Sequence, residues 1–254
     1  MKKSTSYSSK HPIKSIILIE VSLLLIVFIA GAIATIKQLS SETPILISFI
    51  PIAFVLIIYF TWKRNWAFFG FKPIDTGRNW LYYVPLFVIL LTLCFQGFDF
   101  IPMETIAFYI GFAALIAFVE ESIYRGVMIK ILLPLGIVPA ILTTSILFSL
   151  THILNLLSGQ GIGQTVLQLI YALLIGIVLA QLFIINGSIY PLILFHTLHN
   201  LIQFLGSGGS SAFLDGTVIA ILALTAIFLT FPLKRDQRIR LNELDEIPTR
   251  PSQL

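Results

Sequence analysis

Charge is what this sequence lacks most. Asp, Glu, Lys and Arg make up 11% of its 254 residues, against about 25% in soluble globular domains. Hydrophobic residues make up 57% and the mean hydropathy is +0.96. Too little polar surface is available to cover a water-soluble fold, so the chain reads as an all-α, polytopic membrane bundle. Cysteine is nearly absent as well. A single residue, Cys94, excludes an intrachain disulfide and a thiolate metal cage. It lies in an apolar run and reads as a packing residue. No repeat of 20–50 residues is visible, which argues against solenoids and an obvious inverted-repeat transporter. H-E-x-x-H and G-x-S-x-G are both missing, which removes the zincin helix and the serine elbow.

What is present is apolar sequence long enough to span a bilayer, about 20 residues at a time. Eight candidate spans occur, at 16–36, 44–62, 80–98, 104–133, 138–157, 164–185, 189–205 and 213–233. The first resembles a signal peptide, but its length, its Glu20 and the seven spans that follow make it an uncleaved anchor. With both termini cytoplasmic, 15 of the 16 Lys and Arg residues fall on the inner side and only Lys37 outside, as the positive-inside rule requires. The net charge of +4 is therefore topological and a basis for contact with anionic lipid; it does not imply nucleic-acid binding. The expected organisation is an N-terminal tail, two spans and a basic loop (1–79), a helix bundle (80–205), a last span (206–233) and a polar tail (234–254) that is loosely ordered.

Polar residues at membrane depth are functional candidates by default. Here they are Glu20, Glu120, Glu121, His152, Asn155, His196, His199 and Asn200. Glu121 and Arg125 are four apart and share a helix face suited to an ion pair. Glu120 points about 100° away, so Arg125 neutralises one carboxylate and leaves the other to face something else. His196 and Asn200 also share a face. The fourth span turns back at 134–139, which puts Glu120 and His152 at one level of a helical hairpin. His196 lies about 10 Å into its span, at a matching depth. The four residues Glu120, His152, His196 and Asn200 are therefore expected to line one cavity that opens toward the cytosol.

A carboxylate beside two imidazoles suits deprotonation of a water, and an amide with an imidazole suits an oxyanion. The alternative is Zn²⁺ held by Glu120, His152 and His196, with one position left for water. "EESIYRG" (120–126) fits E-E-x-x-x-R-G, "FSLTH" (148–152) fits F-x-x-x-H, and "HTLHN" (196–200) fits H-x-x-x-N. Three motifs in this order on separate helices resemble the CPBP family, the CAAX proteases and bacteriocin-processing proteins also called Abi. The resemblance spans about residues 80–205. It implies an intramembrane endopeptidase acting on a peptide or lipidated protein. Glu120 would activate water with help from His152, His196 and Asn200 would stabilise the oxyanion, and Glu121 with Arg125 would brace the site. Asn200 suits an oxyanion donor better than a zinc ligand, which favours a mechanism without a cofactor.

Phe148 reads as packing that orients His152, His199 as a packed or hydrogen-bonded histidine, and Glu20 has no assigned role. Two other functional classes fit the same residues. One is a proton-coupled transporter, although its polar residues would need to connect both faces. The other is a scaffold or bacteriocin-immunity protein without proteolytic activity. A compact chain with this charge pattern points to a bacterial plasma membrane. A reporter fused after Lys234 should behave as cytoplasmic and one inserted in "SGQGIG" (158–163) as external; an external C-terminus would overturn the eight-span topology.

Overall fold

The computed structural model describes residues 7–74, 80–207 and 211–245. Eight helices build it: α1 (Pro12–Lys37), α2 (Thr43–Lys63), α3 (Val84–Leu93), α4 (Met103–Glu121), α5 (Ile137–Thr151), α6 (Ile162–Asn186), α7 (Tyr190–Leu205) and α8 (Ala212–Asp245). The chain is all-α among the described residues, which hold one isolated antiparallel bridge, Phe98 to Gly206, and no strand. Proline occupies the first turn of α1, α2, α3 and α7, where its missing N–H costs nothing and its fixed φ favours helix. Gly187 ends α6 at φ +66, its N–H bonded to Phe183 O at 2.7 Å, a left-handed cap that a side chain would strain.

Six helical stretches are long and apolar enough to cross a membrane: Pro12–Lys37, Thr43–Lys63, Met103–Leu135, Ile137–Leu157, Ile162–Asn186 and Ala212–Lys234. The chain is thus a multi-pass membrane protein. Two of the eight expected spans are shorter. Trp80–Gln96 breaks into 3₁₀ turns on either side of α3. The 16-residue α7 is about 24 Å long and carries His196, His199, Asn200 and Gln203 along one side. It is enclosed by α3 and α4 and does not need a fully apolar surface. The expected loose tail is also corrected: α8 continues through Asp245, and residues 246–254 lie outside the described residues, as do Lys2, Lys3, Arg78 and Arg250. Cys94 is exposed on the turn after α3 instead of packed inside.

The core lies between α4, α5, α6 and α7. α5 packs on α6, α4 on α7, α6 on α8, and α2 on both α1 and α4. Leu18, Phe54, Val55 and Ile58 of α1 and α2 point outward and are exposed, as a lipid-facing pair requires. Close helix contact depends on Gly176, where an added Cβ would lie 3.1 Å from the Ser145 side chain and 3.2 Å from its Cα.

The two ends of the bundle differ. At one, Lys63 and Lys130 share a hollow with Ser8 and Asn65, and the loop after α2 is tied to the α6–α7 turn by Ile189 N–H donating to Gly70 O (2.8 Å) and Ser188 Oγ to Lys72 O (2.7 Å). At the other, Gln96 Nε2 donates to Ile202 O (2.8 Å) and Ser207 Oγ to Gln96 O (2.9 Å). These are called the basic end and the far end below. Gly176→Leu should lower the unfolding free energy by about 1–3 kcal/mol through overpacking between α5 and α6, read as a loss of thermal stability in detergent; an unchanged melting temperature would show that these helices part freely.

Candidate active site

α4 does not stop at Glu121. It runs into a π-helical segment, Ser122–Met128, and on through Ile129–Leu132. Single π turns inside α-helices are frequent at functional sites because they re-aim side chains. Glu120 and Glu121 stand just before the wide turn and Arg125 within it. Gly126 allows the backbone of this turn to approach Phe69: a Cβ there would lie 3.1 Å from the Phe69 carbonyl oxygen.

Arg125 is 1% exposed and Glu121 0%. The guanidinium donates from Nη1 to Glu121 Oε1 at 3.0 Å and from Nη2 to Gly176 O at 3.4 Å, and lies 4.7 Å above the Phe148 ring. A charge removed from water needs such a partner, because the desolvation cost is several kcal/mol per ion. The expected pair between Glu121 and Arg125 is therefore present.

Arg125 neutralises Glu121 and leaves Glu120 to face the cavity, as expected, but the two carboxylates also share a partner. His196 joins them: its Nδ1 lies 2.9 Å from Glu121 Oε1 and its Nε2 3.4 Å from Glu120 Oε2. A neutral imidazole has one N–H. Both ring nitrogens here meet carboxylate oxygens, which suits a ring that carries both protons. With His196 doubly protonated, Glu120, Glu121, Arg125 and His196 sum to zero charge, an arrangement that suits a low-dielectric interior.

His152 begins the 3₁₀ segment that extends α5. Its Nδ1 donates to Phe148 O at 3.0 Å, which leaves Nε2 as an acceptor. The Phe148 ring sits 5.2 Å from His152, 6.1 Å from His196 and 5.2 Å from Tyr124, so Phe148 packs the site together as expected. His152 makes no hydrogen bond to Glu120 among the described residues, yet both line one cavity of about 420 Å³ together with His196 and Asn200. The four expected residues do converge.

Three further side chains matter. Tyr171 on α6 donates from its hydroxyl to His199 Nε2 (2.7 Å), and His199 Nδ1 donates to Asn200 Oδ1 (3.3 Å). This chain fixes the Asn200 amide with its NH₂ group available to the cavity. Nothing in the sequence distinguished Tyr171 from other aromatic residues in an apolar helix. Glu20, without a role from sequence, accepts from the Tyr124 hydroxyl at 3.2 Å and ties α1 to the π turn. Asn155 donates to Gln168 Oε1 at 2.8 Å.

The cavity does not open toward the basic end. It extends past Tyr109, Asn155 and Phe204 to Ser41 and Glu42, all toward the far end. The basic end is closed by Gly126 against Phe69 and by the bond from Ile189 to Gly70. The expectation placed the mouth, from depth alone, at the end where the basic residues gather; the loops seal that end and leave the other open.

Both nitrogens of His196 are directed at carboxylates, and among the described residues no group of three or more His, Cys, Asp and Glu side chains is arranged to hold a metal ion. Glu120, His152 and His196 are thus not arranged as the three-ligand set that zinc requires.

Residues 102–202 match a family model described as type II CAAX prenyl endopeptidase Rce1-like. The match begins one residue before α4, ends within α7, and contains Glu120, Glu121, Arg125, His152, His196 and Asn200. This part of the chain is similar to the Rce1-like domains of the CAAX proteases, the family its three motifs resemble. No curated protein matches the chain.

Glu121→Gln should cost about 3–5 kcal/mol of stability because it leaves Arg125 without its counter-charge. Tyr171→Phe, which keeps the ring and removes one hydrogen bond, should cost about 1 kcal/mol. Unfolding of the purified variants in detergent compares the two; equal losses would remove the ion pair from its central position.

Proposed function

We propose that the chain is an intramembrane endopeptidase that hydrolyses a peptide bond in a membrane-associated or lipidated polypeptide with water activated by Glu120. The observation that carries this reading is the placement of Glu120: a carboxylate on a cavity wall, 3.4 Å from His196 Nε2, inside the stretch similar to Rce1-like domains.

The chemistry follows from hydrogen-bonding capacity. With His196 holding both ring protons, Glu120 is ionised and accepts a proton from water. The hydroxide attacks the peptide carbonyl carbon. The resulting oxyanion is met by the Asn200 NH₂ group, oriented by His199 and Tyr171, and by the positive charge of the His196 imidazolium, whose two N–H groups stay on the carboxylates. Preorganised donors of this kind do not have to reorient as charge develops. His152, an acceptor at Nε2, orients the attacking water. Glu120 then passes its proton to the leaving amine as the C–N bond breaks, and the carboxylate returns to its starting state. Glu121 and Arg125 do not touch substrate; they hold His196 at its Nδ1 and balance its charge.

This mechanism needs no metal. The topology that accompanies it has both termini in the cytoplasm of a bacterial cell, with residues 80–205 as the catalytic bundle.

Glu120→Gln should lower cleavage of a membrane-embedded test peptide about 10²–10⁴-fold while leaving thermal stability close to the parent, since Gln keeps the shape and loses only the proton acceptor. A strong chelator should leave the parent rate unchanged. Full activity in Glu120→Gln would overturn the assignment of the base, and chelator-sensitive activity restored by Zn²⁺ would overturn the metal-free chemistry.

A further inference from the structure

The second cavity at this site is lined in part by polar residues that the mechanism above does not use. It measures about 510 Å³, within the range of about 300–1,000 Å³ usual for ligand sites. It shares His152, Gln168, His196 and Asn200 with the cavity that holds Glu120. From there it rises between α6, α7 and α8 to Gln160, Gln164, Gln203 and Asp215. The chain has nine glutamines, and five of them line this one space: Gln96, Gln160, Gln164, Gln168 and Gln203. In a membrane protein with 11% charged residues, such a concentration of uncharged amides needs a reason.

A primary amide offers both donor and acceptor, the same pair that each peptide unit presents. Gln164 and Gln203 are exposed and make no hydrogen bond within the described residues, so both are available to a guest. Gln168 is held from behind, its Oε1 accepting from Asn155 Nδ2 (2.8 Å) and Gln160 Nε2 (3.0 Å). A wall of this kind suits an extended peptide whose backbone polar groups must be satisfied after leaving water. A purely aliphatic lipid tail would leave these amides without partners.

The amide-lined space also has a side. Its mouth lies at the far end, beside the start of α6 and the start of α8. Lys63, Lys72 and Lys130 lie at the opposite end, and the distribution of basic residues assigns that end to the cytoplasm.

We propose that this space is a vestibule through which an extended peptide segment reaches Glu120 from the non-cytoplasmic side of the membrane. The proposal rests on the proteolytic reading for its purpose, but its geometry is testable alone. Because Cys94 is the single cysteine, Cys94→Ser provides a thiol-free full-length background. Into it go Gln164→Cys and Gln203→Cys, with Lys63→Cys as the basic-end control. A membrane-impermeant maleimide is applied to sealed right-side-out and sealed inverted vesicles. Thiols at 164 and 203 should label at least tenfold faster in right-side-out vesicles, and the thiol at 63 at least tenfold faster in inverted ones. An extended test peptide added outside should be cleaved by right-side-out vesicles only and should slow labelling at 203.

Labelling of positions 164 and 203 from the inverted side only, or from neither side, overturns the vestibule and leaves the assignment of Glu120 as it stands. The expected labelling together with undiminished cleavage by Glu120→Gln supports the vestibule and removes Glu120 as the base, whereas the expected labelling with no cleavage by the parent removes the proteolytic reading. Unchanged labelling at 203 in the presence of excess peptide overturns the peptide as its occupant.

Discussion

A guanidinium with no access to water sets the terms for the rest of this structure. Arg125 is buried, and the Glu121 carboxylate beside it is the charge that permits this. The same Glu121 oxygen accepts from His196, so one atom fixes both the arginine and the imidazole. The imidazole then reaches Glu120. A guanidinium over the Phe148 ring, a carbonyl at Gly176 that accepts from Arg125, and helices that pack closely enough to exclude water are all conditions for keeping this group of charges inside a membrane. Helices α4, α5, α6 and α7 are held around it, each contributing at least one contact.

The bundle keeps its charge and its access apart. At the basic end the backbone closes on itself, with the loop after α2 folded under the turn before α7 and Gly126 pressed against Phe69. At the far end the helices spread around a space lined by amides. Depth in a helix and distance from an opening are therefore different quantities in this fold. Glu120 is about 26 Å along α4 from its start, nearer the basic end, yet its cavity extends the other way.

The composition and the apolar runs made the helical membrane bundle legible, and the i,i+4 spacing of Glu121 and Arg125 made their pairing legible, because both are local properties of the chain. The hairpin between α4 and α5 placed Glu120 and His152 at one level for the same reason. The bridging role of His196 was not legible: it depends on α7 lying against α4, and His196 comes 75 positions after Glu121. Tyr171 was hidden for another reason, since an aromatic residue in an apolar helix looks the same whether it packs or donates a hydrogen bond. The short α7 was read as a full span because its apolar residues satisfied a composition rule that takes no account of enclosure by neighbouring helices. The mouth of the cavity was misplaced because loop closure is a tertiary property.

The π segment between Ser122 and Met128 makes the site sensitive to residue count. A π turn holds about one residue more than the α turn it replaces. Loss of any one residue from this stretch would let the helix relax to regular geometry, turning its two halves by about 100° relative to each other. The residues beyond the deletion would then turn away from their partners, and Gly126 would no longer face Phe69, although the glutamates kept their place on α4. Register, as much as residue identity, is what this part of the sequence encodes. A length change too small to disturb a lipid-facing helix such as α1 would dismantle the site.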